Sequence, residues 1–181
     1  MEEDGGTNPG GLQGSLTRMR EIERSYLVAV VPDDLEEYPS EEIKQSYLSL
    51  ADPPLRIRQK GSKFEMTKKI FLVEERHSAE ETTIPLTSDE FDLLWPLSKK
   101  SLLKTRYYIP LRKDGLIAEL DVFKGKLRGL LMVEVEFNSI EQMNRFTSPS
   151  WFGRDVTNEA YASNFFLAGN RFDEIKGFFT Q

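Results

Sequence analysis

The chain has 181 residues, with 30 Asp and Glu against 24 Lys and Arg, one His, no Cys and 39% hydrophobic residues. That length suits one core, and a formal charge of −6 argues against wrapping nucleic acid or lying on anionic lipid, both of which need a cationic face. Without Cys and with only His77, disulfides, thiolate zinc sites, thiol nucleophiles and any Ser-His-Asp arrangement not built on His77 are excluded.

No apolar run approaches twenty residues, and the start lacks the basic-then-apolar order of a signal peptide, so a cytoplasmic protein without a membrane span is expected. Residues 1–18 carry five glycines and almost nothing to bury, which predicts a disordered tail before a single domain over 19–181. Next come stretches in which apolar and polar residues alternate, the two-residue period of half-buried strands. They are Arg20–Val31, Pro54–Gln59, Phe64–Lys69, Leu103–Ile109, Ile117–Phe123 and Leu131–Phe137. Gln59-Lys60-Gly61-Ser62 and Arg112-Lys113-Asp114-Gly115 have tight-turn composition and join neighbouring stretches into hairpins. Helices are fewer: Ser88-Asp89 can cap a turn running to Leu97, and Ser139 can cap Ile140–Phe146. Ser40–Leu48 reads ambiguously. The expected class is α+β, mainly antiparallel, with a few flanking helices.

Residues i and i+2 of a strand share a face, and here the charged faces are sorted by sign. Glu21 with Glu23, Glu119 with Asp121 and Glu134 with Glu136 form acidic rows; Arg56 with Arg58, Lys104 with Arg106, and Lys69 on the side of Thr67 form basic ones. A solvated sheet gains by mixing signs across neighbours. Sorted rows suit a ligand that carries both charges, such as a divalent cation on a polyanion. Carboxylates without His or Cys suit Mg²⁺ or Mn²⁺. Arg forks and Lys point charges suit phosphate, and no glycine-rich phosphate loop is present. Rows converging on one ligand need a curved or closed sheet, and about eight strands would leave room for one small ligand. The opposite face, with Ile22, Leu55, Ile57, Leu120, Val122, Val133, Val135 and Phe137, is apolar and should pack under the helices.

The segments EIERSYLV, QSYL, LRIRQKG, FEMTKK, FDLLWP, KTRYY, AELDVFKGKL, LMVEVEF and WFGRDVT occur in this order, and with them the chain resembles the CYTH, or triphosphate tunnel metalloenzyme, superfamily. The likeness is greatest to its bacterial inorganic triphosphatase branch. The resemblance implies a closed eight-stranded antiparallel barrel, the triphosphate tunnel, in which Mg²⁺ or Mn²⁺ assists hydrolysis of triphosphate or a related short polyphosphate. It implies metal ligation by Glu21, Glu23, Asp121, Glu134 and Glu136, and phosphate binding by Arg56, Arg58, Lys69 and Arg106. It further implies catalytic roles for Lys104, Tyr47 and Glu119, and a possible homodimer.

The sequence departs from the family pattern at Ser25, where the signature has Lys, over Ala79–Thr83, and around Tyr161, with Arg76 or Arg154 as candidate substitutes. Alternatives on the same scaffold are therefore a catalytically weakened triphosphate- or nucleotide-binding protein, a class IV-type adenylyl cyclase and a thiamine triphosphatase. Asn170–Gln181, with Phe172, Phe178 and Phe179, is placed either over one tunnel mouth or at a subunit interface.

Overall fold

A computed structural model describes residues 17–51, 53–71, 78–111 and 115–179. Nine strands form one sheet: β1 (Thr17–Val28), β2 (Ser40–Tyr47), β3 (Leu55–Lys60), β4 (Lys63–Phe71), β5 (Ser78–Leu86), β6 (Lys100–Pro110), β7 (Ile117–Phe123), β8 (Leu131–Glu136) and β9 (Phe152–Asp155). Their order is β5-β4-β3-β2-β6-β7-β8-β1-β9, and every pairing is antiparallel. The long β1 pairs with β5 over Thr17–Ile22, with β8 over Glu23–Leu27 and with β9 at Tyr26 and Val28.

All six expected strands are present, and the α+β, mainly antiparallel class holds. The tail expected over 1–18 lies outside the described residues except for Thr17 and Arg18, which open β1. Ambiguous Ser40–Leu48 is strand β2; β5 contains Ala79–Thr83, the segment that the resemblance aligns with a family strand, and β9 was not foreseen. The eight strands expected are nine because Phe152-Gly153-Arg154-Asp155, too short to show a period, pairs with the end of β1. The β3–β4 hairpin turns at Gly61, whose φ of 56° is in the left-handed region that glycine enters without penalty. The β6–β7 hairpin also forms, with residues 112–114 of its loop outside the described set.

Helix α1 (Ser88–Leu94) begins under a capping box in which Thr87 and Glu90 satisfy each other's backbone N–H, and a 3₁₀ turn over Trp95–Leu97 ends it at Pro96. Buried Phe91 packs on Phe64 of β4 and on Trp95. Ser139 caps α2 (Ile140–Arg145) as its sequence predicts. Two further short helices, α3 (Asn164–Ala168) and α4 (Phe172–Ile175), follow. No described helix is long and apolar enough to cross a membrane.

The apolar face behaves as the alternation requires. Ile22, Tyr26, Ala118, Leu120, Val133 and Val135 form one core with Phe137, Met143 and Phe152, sealed by α2 and β9. A second core sits on the other face, at one end only: Leu27, Tyr47, Leu102, Phe123 and Met132 pack against Leu167, Ala168 and Ile175, with Phe165, Phe166, Phe172 and Phe179 around them. The C-terminal segment thus covers one end of the face that elsewhere is charged, and a residue of α3 reaches that charged region.

Candidate functional site

Directly opposed residues of antiparallel strands share a face, so the register can be followed from strand to strand. Glu23 lies opposite Glu136, and Ser25 opposite Glu134. Glu134 lies opposite Glu119, Glu119 opposite Tyr108, and Asp121 opposite Arg106. Arg106 lies opposite Glu41 and Lys104 opposite Ile43, which is opposite Lys60. Tyr47 lies opposite Arg56, and Gln45 opposite Arg58; these arginines in turn face Thr67 and Glu65. The site residues of β1, β2, β3, β6, β7 and β8 therefore hold register positions on one face, and Lys69 of β4 is paired through its backbone with Glu81.

At the centre is Arg106. Its Nε and Nη2 donate to the two oxygens of Asp121, at 2.7 and 2.6 Å, and the same guanidinium reaches Glu119 and Glu134. Burial opposes its charge, but Asp121, Glu134 and Glu119 outweigh burial and keep it protonated. Lys104, also buried, donates to Asp121 Oδ2 at 2.5 Å and to Asn164 Oδ1 of α3 at 3.4 Å. Burial, then repulsion from Arg106, hold its ammonium below the ordinary lysine value despite that carboxylate. A lysine so placed is more easily deprotonated than a solvated one. Glu119 is pushed up, chiefly by burial and by Glu134, with Arg106 pulling the other way.

The basic row of β6 thus neutralises the acidic rows of β7 and β8 directly, where the sequence led us to expect separate rows around a ligand. The physical reason is adjacency: β6 and β7 are hairpin partners, and opposed side chains of opposite sign attract. On β4 the row is not purely basic, because Glu65 shares the face of Thr67. Glu65 Oε1 accepts from Arg58 Nε at 2.7 Å and Nη2 at 2.6 Å, with Arg56 Nη2 at 4.0 Å.

The acidic end is different. Solvent reaches Glu136, yet its carboxyl is pushed up to about 7, first by lost hydration and then by Glu119, Glu21 and Glu23. Both statements hold for a group on the wall of a concavity, where water touches the side chain but protein fills most of the space around it. Carboxylate oxygens crowded in this way are hard ligands of the kind that suit a divalent cation. Among the described residues no group of three or more carboxylates is gathered so as to hold a metal ion.

Tyr47 and Lys104 are not in register. Tyr47 lies opposite Lys100, four residues along β6 from Lys104, a distance of about 13 Å along the strand, and the Tyr47 hydroxyl accepts from Gln45 Nε2 at 2.8 Å. Arg154 is exposed on β9, where it holds the Tyr161 hydroxyl and the Phe178 carbonyl, both at 2.8 Å. Arg76 and His77 lie outside the described residues. Sequence reading missed Glu41, which accepts from Tyr108 at 2.7 Å and lies 3.9 Å from Lys60, as well as Gln45, Glu65, Lys100 and Asn164. Glu41 and Gln45 carried a signal, since both alternate with Ile43 and Tyr47, but only once β2 is read as a strand.

Such an antiparallel sheet, with opposed charged rows on one face, fits the superfamily that the sequence resembles. Comparison with known proteins bears this out. No family model matches the chain. It is 40% identical over 154 residues to the inorganic triphosphatase of Nitrosomonas europaea, an alignment covering 83% of this chain and 97% of the relative. A solved structure of the inorganic triphosphatase NE1496 superimposes with a TM-score of 0.62 at 37% identity, covering 83% of this chain and 95% of that one. A putative adenylyl cyclase from Hippeastrum, described as having a dominant triphosphatase activity, shares the fold at 15% identity and a TM-score of 0.52, over 68% of this chain and 82% of its own. The chain belongs to the CYTH-type inorganic triphosphatase family.

Proposed function

We propose that the protein is a phosphoanhydride hydrolase that cleaves inorganic triphosphate, or a related short polyphosphate, with a divalent cation bound. The observation that carries this reading is the register that turns the charged positions of β1, β3, β6, β7 and β8 onto one face, in a chain 40% identical to a named inorganic triphosphatase. The pairing of the first half of β1 with β5 and of its second half with β8 supports strands β1–β8 enclosing that face as a tunnel. A cytoplasmic setting fits a chain without Cys.

In this reading Arg56, Arg58 and Lys69 bind phosphoryl oxygens, and Arg106 serves two roles. Without ligand it balances Glu119, Asp121 and Glu134; a polyanion offers it the same complement. Glu21, Glu23, Glu134 and Glu136, with Asp121 behind them, would hold Mg²⁺ or Mn²⁺, which when bound neutralises phosphate charge and lowers the pKa of coordinated water. Glu119, its carboxyl already raised, would orient or deprotonate an attacking water. Lys104, its ammonium depressed, is the second candidate for proton transfer, and Tyr47, on the same face of the sheet, is the third. Preorganised charge would supply most of the rate enhancement.

A panel of triphosphate, longer polyphosphate, ATP and thiamine triphosphate, each with Mg²⁺, Mn²⁺ or chelator, tests the reading. Metal-dependent phosphate release from triphosphate is expected, and release from none of the four overturns it. Ser25, standing opposite Glu134 where the family signature has Lys, favours one second reading, a tunnel that binds triphosphate without turning it over. Tight calorimetric binding without phosphate release would establish that instead.

A further inference from the structure

On the charged face Arg56 and Arg58 are two residues apart, so their guanidiniums project side by side, and like charges so placed repel. Glu65, directly opposite Arg58, meets both. Arg58 uses Nε and Nη2 for this contact, the side-on edge of the planar fork. The end-on edge, formed by Nη1 and the second N–H of Nη2, lies outside this contact, and its geometry suits another oxygen pair. Next to Glu65 on β5 is Pro85, which has no polar side chain to compete for the carboxylate. Glu65 and Arg58 are each about one-fifth exposed, so the contact borders accessible space instead of lying sealed in a core.

We propose that Glu65 is a positioning residue for triphosphate: by clamping the side-on edge of Arg58, and holding Arg56 near it, it presents the end-on edge of Arg58 to a phosphoryl group. The inference rests on the reading of this face as a triphosphate site. Its energetic logic is preorganisation, since an unclamped arginine must lose rotamer freedom when it binds.

The test uses the full chain and two independent readouts. In ¹⁵N spectra the Arg58 Nε–H should give a slowly exchanging signal that is lost in Glu65→Leu and partly kept in Glu65→Gln, which retains an oxygen acceptor. Calorimetry with inorganic triphosphate in chelator should show binding weakened about tenfold by Glu65→Leu and less by Glu65→Gln. In an Arg58→Ala background Glu65→Leu should change affinity little further, because the effect passes through Arg58. Unchanged or tighter binding in Glu65→Leu, an equal loss in the Arg58→Ala background, or an unprotected Arg58 Nε–H in the wild type overturns the proposal. Failure of the wild type to release phosphate while it still binds triphosphate would overturn the hydrolase reading alone and leave this one standing.

Discussion

Asp121 joins the two buried cations of the charged face, accepting from Lys104 at 2.5 Å and from Arg106 at 2.7 and 2.6 Å. Taking that charge away leaves Lys104 and Arg106 facing each other with burial uncompensated. Breaking such a buried pair from one side costs about 3–5 kcal/mol, so Asp121→Asn should sharply lower the denaturation midpoint, whereas Glu141→Gln, in an exposed ion pair with Arg145, should change it little. Glu136 yields a prediction of opposite dependence on acid. Its folded-state pKa, about 7, exceeds the ordinary 4.5, so the contribution it makes is complete below about pH 4.5 and is lost as pH rises through about 7. In chelator, thermal stability should therefore carry a component that declines over this window. Glu136→Gln should remove that component, and an unaltered pH profile in the variant would count against the crowding of Glu136 by Glu119, Glu21 and Glu23.

Among the elements, those with a clean apolar alternation were legible: β1, β3, β4, β6, β7 and β8 all follow from the two-residue period. β2 was ambiguous because Ser-Glu-Glu-Ile-Lys-Gln-Ser-Tyr places its two apolar residues, Ile43 and Tyr47, four apart, a spacing that also suits a helix; the ladder to β3 and β6 decides the matter. β5 lacks a clean alternation, since Pro85 and adjacent charges disfavour a strand, and only the resemblance placed one over Ala79–Thr83. Local capping was legible at α2 and displaced by one residue at α1, where Thr87 is the cap. Thr87→Ala should cost about 1 kcal/mol in chemical denaturation, and a negligible cost would mean that tertiary packing of Phe91 alone sets the helix start.

For the whole molecule, alternation placed the charged pairs of β1, β3, β6, β7 and β8 on one face but did not show which of them touch. Alternation reports the face of each side chain, while contact depends on strand order, and nothing in KTRYY or AELDVF indicates that Arg106 bridges three carboxylates on two strands. The cover over one end of this face was legible only as an aromatic-rich segment. Its removal would expose Leu27, Leu102, Phe123 and Met132, at about 1.5–3 kcal/mol for each large side chain, against a typical net stability of about 5–15 kcal/mol. A chain ending at residue 159 should lose its cooperative unfolding transition, as followed by circular dichroism.

The account as a whole rests on chemistry being confined to one side of the sheet, which adjacent residues of β1 separate: Glu23 lies on the charged face and Arg24, beside Tyr26, belongs to the other alternation. The direct measurement is phosphate release from inorganic triphosphate with Mg²⁺ or Mn²⁺ by wild type, Glu23→Ala and Arg24→Ala. The account predicts release that chelator abolishes, a loss of at least about a hundredfold in Glu23→Ala, and near wild-type rates in Arg24→Ala. Undiminished metal-dependent release by Glu23→Ala would contradict it.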